Sequence, residues 1–148
     1  MRIRDVFTPR ARTALRDAPL AEAARMMCRE HVGALVVVER GLTHRAIGIV
    51  TDRDIVRGQL RRGADLYCLT VGDVMTPDPL VVPIDFEVSE AIEALTARAV
   101  RRAPVVDASG NLCGMVTLDD LLPGVAQELG DLASLLGSQA HCERLNSC

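Results

Sequence analysis

The chain has 148 residues, a net charge of −3 and a 49% apolar fraction, which suit one compact domain or two small halves that share a core. Aromatic residues make up only 2%, and acidic residues outnumber basic ones, whereas nucleic-acid-binding proteins usually have aromatic stacking side chains or a basic surface. Direct binding of nucleic acid is therefore not expected. No apolar run approaches the ~20 residues of a membrane span, and no signal-peptide segment opens the chain. We therefore expect a cytoplasmic protein without a membrane partner.

The five cysteines are widely spaced, and none forms a Cys-x-x-Cys pair. In a reducing compartment such cysteines are typical of small apolar fillers or surface thiols. A metal site formed by His141, Cys142 and Cys148 is the alternative, but an incidental tail is favoured, so no metal ligands are predicted.

An internal repeat organises the chain. Residues 5–9, Asp-Val-Phe-Thr-Pro, return 68 positions later as Asp-Val-Met-Thr-Pro at 73–77, and ten of the 35 positions from 5 to 39 are identical at this offset. The stretch 48–54, Gly-Ile-Val-Thr-Asp-Arg-Asp, recurs at 114–120 as Gly-Met-Val-Thr-Leu-Asp-Asp. The offset changes by two residues between the motifs, in a polar connection that absorbs length changes.

Each copy predicts the element order β-α-β-β-α. Thr-Pro opens an extended segment, and apolar residues at helical spacing predict a helix that starts near Asp17 in the first copy and near Asp85 in the second. Two short β-branched runs follow, and a second helix starts after Thr51 or Thr117. The predicted fold class is α+β, with two such repeats packed as a pseudo-twofold pair that shares a core.

The repeat divides the chain into four parts. Repeat 1 is predicted over 1–65, a linker over 66–72, repeat 2 over 73–124, and a C-terminal helix and tail over 125–148. In the last part an apolar stripe predicts packing within the chain, with a partner-facing helix as the alternative; its residues are Val125, Leu129, Leu132 and Leu136. The tail from 137 onward is polar, so we expect it to fray.

The repeated motif also has the form of a helix start. In both copies a Thr precedes a carboxylate by three residues, just before an apolar run, which is a capping-box pattern. The N-terminus of a helix favours an anion, and an ionised carboxylate accepts hydrogen bonds from a vicinal diol. The two motifs are therefore either two ordinary capped helices or two sites for phosphate and ribose.

The order Asp-Val-Met-Thr-Pro, helix, Ala-Pro-Val-Val-Asp and Gly-apolar-Val-Thr-x-x-Asp resembles the cystathionine-β-synthase (CBS) domain family. The resemblance covers nearly the whole chain as a tandem pair, or Bateman module. It implies two clefts between the repeats that bind adenine nucleotides or adenosyl compounds. In that family the motif Thr contacts phosphate or ribose and the motif Asp binds ribose, which implies roles for Thr51 and Asp54, and for Thr117 and Asp120.

The two copies differ in positive charge. Relatives often place a basic residue before the strand that contains Pro-Val-Val, and here the second copy has Arg101 and Arg102, whereas the first has Gly33 and Ala34. Because arginine binds phosphate in a bidentate manner, we expect the second copy to be the stronger phosphate site. A solvated surface pair is the alternative for the two arginines.

Catalysis is not expected, because the three histidines have no Ser-His-Asp or Cys-His arrangement and no Gly-rich loop with lysine is present. The adjacent acids of the motifs are less favoured as an acid–base pair or Mg²⁺ ligands. The sequence favours a regulatory module that binds AMP, ADP, ATP, NAD or S-adenosylmethionine, forms a homodimer and signals to an effector protein. No obligatory cofactor is expected, and a scaffold with vestigial clefts is the alternative.

Overall fold

The computed structural model describes residues 1–63 and 65–146, with side chains through residue 139. Eight strands and five α-helices follow a 3₁₀ turn at Ile3–Asp5 in this part of the chain. In order they are β1 (Thr8–Pro9), β2 (Thr13–Leu15), α1 (Leu20–Glu30), β3 (Ala34–Val38), β4 (Gly48–Thr51), α2 (Asp52–Arg62), α3 (Val71–Val74), β5 (Thr76–Pro77), β6 (Val82–Pro83), α4 (Val88–Arg98), β7 (Arg102–Val106), β8 (Leu112–Thr117) and α5 (Leu118–Asn146).

The strands form two sheets of four, and each sheet is covered by helices of one repeat. The first sheet has the order β2-β3-β4-β5, and its core is built from α1, α2 and the strands between them. The second has the order β1-β8-β7-β6 and packs against α4 and the start of α5. The structure confirms the α+β class and the repeated β-α-β-β-α order.

The two sheets exchange their edge strands. β5, which opens the second repeat, pairs with β4 of the first, where Gly48 lies opposite Pro77. β1, which opens the chain, pairs with β8, where Pro9 lies opposite Gly114. Both sheets therefore depend on a short Thr-Pro strand supplied by the other half of the chain.

The motif glycines make this exchange possible because they leave room for the incoming strand. A Cβ added at Gly48 would lie 2.6 Å from Met75 Sδ and 3.0 Å from the Thr76 carbonyl oxygen. A Cβ at Gly114 would collide with the Thr8 carbonyl oxygen. The repeated Gly is thus a packing requirement, which the sequence reading did not assign.

Most of the buried apolar side chains form two clusters, one on each sheet. The first includes Leu69 and Val71, which follow the first repeat, and the second includes Ile3 from the start of the chain. Each cluster therefore includes side chains from a segment that lies outside the helices and strands of its own repeat. Val36 and Val38 of β3 are also buried but belong to neither cluster, so both faces of this strand are covered.

The segment predicted as a linker, 66–72, is packed against the first repeat. Its carbonyl groups accept hydrogen bonds from the first turn of α1, with Leu20 N donating to Leu69 O at 2.8 Å and Ala21 N to Leu66 O at 3.1 Å. Leu69 is 5% exposed and Val71 is fully buried. Its apolar residues give this segment a place in the core, and α3 begins within it.

Helix boundaries differ from the predictions in three places. The helices expected near Asp17 and Asp85 begin at Leu20 and Val88, after tight turns. The boundary predicted between 124 and 125 falls inside the continuous helix α5, which also extends through most of the expected frayed tail. Leu121 and Val125 pack against the second core on either side of Pro123, so packing holds the helix together across a residue that normally breaks it.

The apolar stripe of α5 does not pack within the chain as the sequence favours. Val125 is partly buried, but Leu129, Leu132 and Leu136 are 62%, 55% and 60% exposed. The helix extends beyond the end of the second core at that point, so no part of the described chain covers these leucines. None of the helices in the described residues is long and apolar enough to cross a membrane.

Candidate functional site

The first repeated motif forms a capped helix start. Thr51 ends β4, and its Oγ1 accepts the Asp54 N–H at 3.1 Å, while Asp54 Oδ2 accepts the Thr51 N–H at 2.9 Å. Asp54 Oδ1 has no hydrogen bond to the rest of the described protein, and the residue is half-buried. One carboxylate oxygen thus caps the helix while the other stays available to a ligand.

The second motif is capped in the same way but more completely. Asp120 Oδ2 accepts the Thr117 N–H at 2.8 Å and the Thr117 hydroxyl at 3.0 Å. Thr117 Oγ1 in turn accepts the Asp120 N–H at 3.3 Å. The capping-box prediction is therefore confirmed for both motifs, which leaves open whether either one also binds a ligand.

A cleft of about 590 Å³ lies between the two repeats. Its walls are the start of α2, the segments 78–80 and 98–102, and residues 117–119. Five of the six predicted site residues line it together, namely Thr51, Asp54, Arg101, Arg102 and Thr117. Asp120 is the sixth, and it is not among the lining residues.

The cleft is rich in charge of both signs. Four aspartates line it, and five arginines accompany them: Arg53, Arg57, Arg98, Arg101 and Arg102. Within the described chain none of these arginines forms an ion pair within 4.0 Å, although arginines elsewhere on the surface do. Their guanidinium groups are therefore available to an anionic ligand.

Arg102 connects the two repeats. It starts β7 directly across from Thr117 of β8, and it is half-buried. A side chain added at Gly33 would begin 3.9 Å from Arg102 Nη1 and 3.5 Å from Asp52 Oδ2. The guanidinium thus reaches the first repeat, next to the position where that repeat has Gly33 in place of a basic residue.

This placement corrects the predicted division of charge between two unequal sites. The sequence assigns Arg101 and Arg102 to the second motif, whereas the structure brings them into one cleft with Thr51 and Asp54 of the first. The correction follows from the edge-strand exchange, which sets the start of the second repeat against the first sheet. The apparent lack of charge at Gly33 is compensated by the other repeat.

Several lining residues were missed by the sequence reading. Arg98 Nη2 donates to the Asp78 carbonyl oxygen at 2.9 Å, which joins the end of α4 to the segment after β5. An apolar part of the lining is formed by Ile49, Pro79, Leu80 and Val100. The second Thr-Pro was the available signal, because residues 78–80, which follow it, line the cleft.

Two of the cysteines in the described part of the chain have raised thiol pKa values. Burial raises the pKa of the Cys113 thiol, and a hydrogen bond with Asp65 raises that of Cys68, so both thiols are less ionised and less nucleophilic at neutral pH. Within the described residues no group of three or more His, Cys, Asp or Glu side chains is placed to bind a metal. The side chains of His141, Cys142 and Cys148 lie outside the described part.

Comparison with known families identifies the fold. The family described as CBS domain matches the chain twice, over residues 3–61 and 71–126. The chain belongs to the CBS-domain family. This CBS pair is 36% identical to an uncharacterised protein of Methanopyrus kandleri over 64% of the chain, and 32% identical to the mitochondrial CBS domain-containing protein CBSX3 of Arabidopsis thaliana over 76%.

The chain spans about half the length of these curated relatives, 47% of the first and 55% of the second. Among solved structures, CBSX2 in complex with AMP is 29% identical, with a TM-score of 0.71 over 85% of this CBS pair and 96% of CBSX2. The match to two copies of the domain confirms the tandem arrangement that the repeated motifs predict.

Proposed function

We propose that this CBS pair is a regulatory module that binds an adenosine-containing nucleotide in the cleft between its repeats. The observation that carries the proposal is the set of five arginines without carboxylate partners that lines the cleft together with the capped start of α2. Arginines without carboxylate partners beside a helix N-terminus suit the phosphate groups of a nucleotide. The relative CBSX2 has been solved with AMP, which supports the same class of ligand.

Each part of a nucleotide has a matching part of the cleft. Asp54 offers its free Oδ1 to the ribose hydroxyls, and Arg101 and Arg102 contact the phosphates. The apolar lining around Leu80 and Val100 covers the base. Thr51 adds a hydroxyl group near the phosphates, whereas the Thr117 hydroxyl already donates to Asp120, which serves chiefly as the cap of α5.

The charge of the cleft ranks the candidate ligands. Arginines without partners gain most from a ligand that brings several negative charges, whereas the positive sulfonium of S-adenosylmethionine gains nothing from them. We therefore expect ATP to bind more tightly than AMP, and S-adenosylmethionine to bind least. NAD is expected to bind less tightly than ATP but more tightly than S-adenosylmethionine, since its pyrophosphate carries two negative charges.

Occupancy reaches a partner through the packing of the repeats. Because the cleft is lined by both halves, a ligand that binds one relative position of the halves better than another shifts their arrangement. The module acts as a homodimer, and an effector protein on another chain responds to the change.

Calorimetric titration of the full chain with ATP and AMP tests the proposal. Asp54→Ala is expected to weaken binding at least tenfold, since it removes the ribose acceptor. Asp120→Ala is the matched control because it removes the equivalent cap from α5, at a similar cost in stability, at a residue that does not itself line the cleft.

Saturable binding by the wild type that only Asp54→Ala weakens supports the proposal. Absence of saturable binding by the wild type would leave the scaffold as the better account. Equal losses in the two variants would mean that capping, and not ribose contact, explains the effect.

A further inference from the structure

The leucine stripe of α5 has no function in the nucleotide cleft. We define it as Leu122, Val125, Leu129, Leu132 and Leu136. Successive members are separated by three and four residues in turn, and all except Val125 are 55–62% exposed. A soluble chain rarely leaves four large apolar side chains in one row on a helix face, because each gains free energy from burial.

The stripe is anchored at one end and extends away from the domain at the other. Leu121 is 1% exposed and Val125 packs against the second core, which fixes the direction of α5. The match to the CBS domain ends at residue 126, so Leu129, Leu132 and Leu136 lie beyond it. The stripe therefore begins within the matched domain and continues beyond it.

The spacing of the stripe and the charges beside it favour one binding partner, which is the same helix of a second copy of this chain. An apolar row that alternates at three and four residues fits the seam of a two-stranded coiled coil, with the members at positions a and d. Only Glu128 and Asp131 are charged between 121 and 139. In a parallel pair the flanking position of Glu128 faces Ala133 of a second copy, so no like charges oppose each other.

We propose that the leucine stripe pairs in parallel with the same stripe of a second copy of this chain. The pairing follows a twofold axis along the helices, so each copy covers the leucines of the other. It requires no nucleotide, because none of the stripe residues lines the cleft. The two clefts of the dimer are then held on one rigid pair of helices.

Light scattering after size-exclusion chromatography of the full chain without nucleotide measures the pairing. The wild type is expected at twice the chain mass of 16.0 kDa, and the double variant Leu129→Glu with Leu132→Glu at the mass of one chain. Leu60→Glu is the control, since Leu60 of α2 is 79% exposed but lies outside the stripe, and this variant is expected to stay dimeric.

A monomeric wild type overturns the proposal, as does a dimer that survives the double variant or dissociates in Leu60→Glu. Circular dichroism and urea denaturation test whether the double variant is folded, since a folded variant keeps its helical signal and unfolds in a cooperative transition. If it is not, the single variant Leu136→Gln, farther from the core, takes its place and is expected to weaken the dimer at least tenfold.

The parallel orientation of the two α5 helices can be tested separately from dimer formation. Ala133→Lys places a cation opposite Glu128 in a parallel pair, and we expect the dimer to tighten roughly twofold to fivefold at low salt, with the gain lost at high salt. In an antiparallel pair the new lysines face no acidic side chain at this position. A dissociation constant that is unchanged or higher in this variant contradicts the parallel arrangement.

Discussion

Replacement of Gly114 by alanine tests the exchanged edge strand. The new methyl group would collide with the Thr8 carbonyl oxygen and lie 2.8 Å from two carbons of the Phe7 ring. The ring can rotate, but the carbonyl belongs to the backbone of β1, which is paired with β8 in register. The strand must therefore shift away from the sheet or lose its pairing.

We expect the substitution to lower the free energy of unfolding by about 3 kcal/mol, at the upper end of the usual cost of overpacking. For a chain of this size the midpoint of thermal unfolding then falls by roughly 6–12 °C. Urea denaturation followed by far-ultraviolet circular dichroism measures the change. Gly48→Ala is expected to cost less, because the nearest atom there is the flexible Met75 Sδ at 2.6 Å.

The same substitution at Gly130 is the matched control. Gly130 lies in α5, and no atom outside the helix backbone lies within 4 Å of an added Cβ. Alanine there is expected to stabilise the helix by about 0.5–1 kcal/mol. A Gly114→Ala variant within about 0.5 kcal/mol of the wild type would refute the packing of β1 against β8.

Two further predictions concern single charges. Arg102→Ala is expected to weaken ATP binding in calorimetry by roughly 10- to 100-fold, because a charge-assisted contact with phosphate is lost, and to weaken AMP binding less. Arg40→Ala is the control: Arg40 lies outside the cleft, so its replacement should change the affinity for neither nucleotide. The Thr70 N–H holds the pKa of Asp73 below its ordinary 3.8, so this carboxylate stabilises the fold at neutral pH and its contribution is lost as the pH falls through the lowered pKa. Urea titrations at several pH values should therefore show that Asp73→Asn is less stable than the wild type at pH 7, with the difference shrinking in acid; an equal difference at every pH contradicts this.

The sequence predicts the local elements well because their signals are local. Helical apolar spacing identifies α1 and α4, and short β-branched runs identify the central strands. The Thr-to-Asp spacing identifies the capped starts of α2 and α5. A glycine also marks the end of α2, because Gly63 caps it in the left-handed conformation, with φ of 60°.

The exchange of Thr-Pro strands was not predicted because it depends on pairing between residues about 30 and 100 positions apart, as between Gly48 and Pro77 or between Pro9 and Gly114. The strands have only two residues each, too short for any periodic pattern. The cleft follows from this exchange, so the sequence identified five of its residues but grouped the arginines with the other motif. The continuity of α5 past Pro123 likewise depends on tertiary packing, which overrides local propensity.

A crystal structure of the full chain grown with ATP would test the central claim most directly. We expect nucleotide density in the cleft, with the ribose hydroxyls on Asp54 Oδ1 and phosphate oxygens within hydrogen-bond distance of the Arg102 guanidinium. An empty cleft at saturating ATP, or a nucleotide bound away from Asp54 and Arg102, would contradict the proposed site.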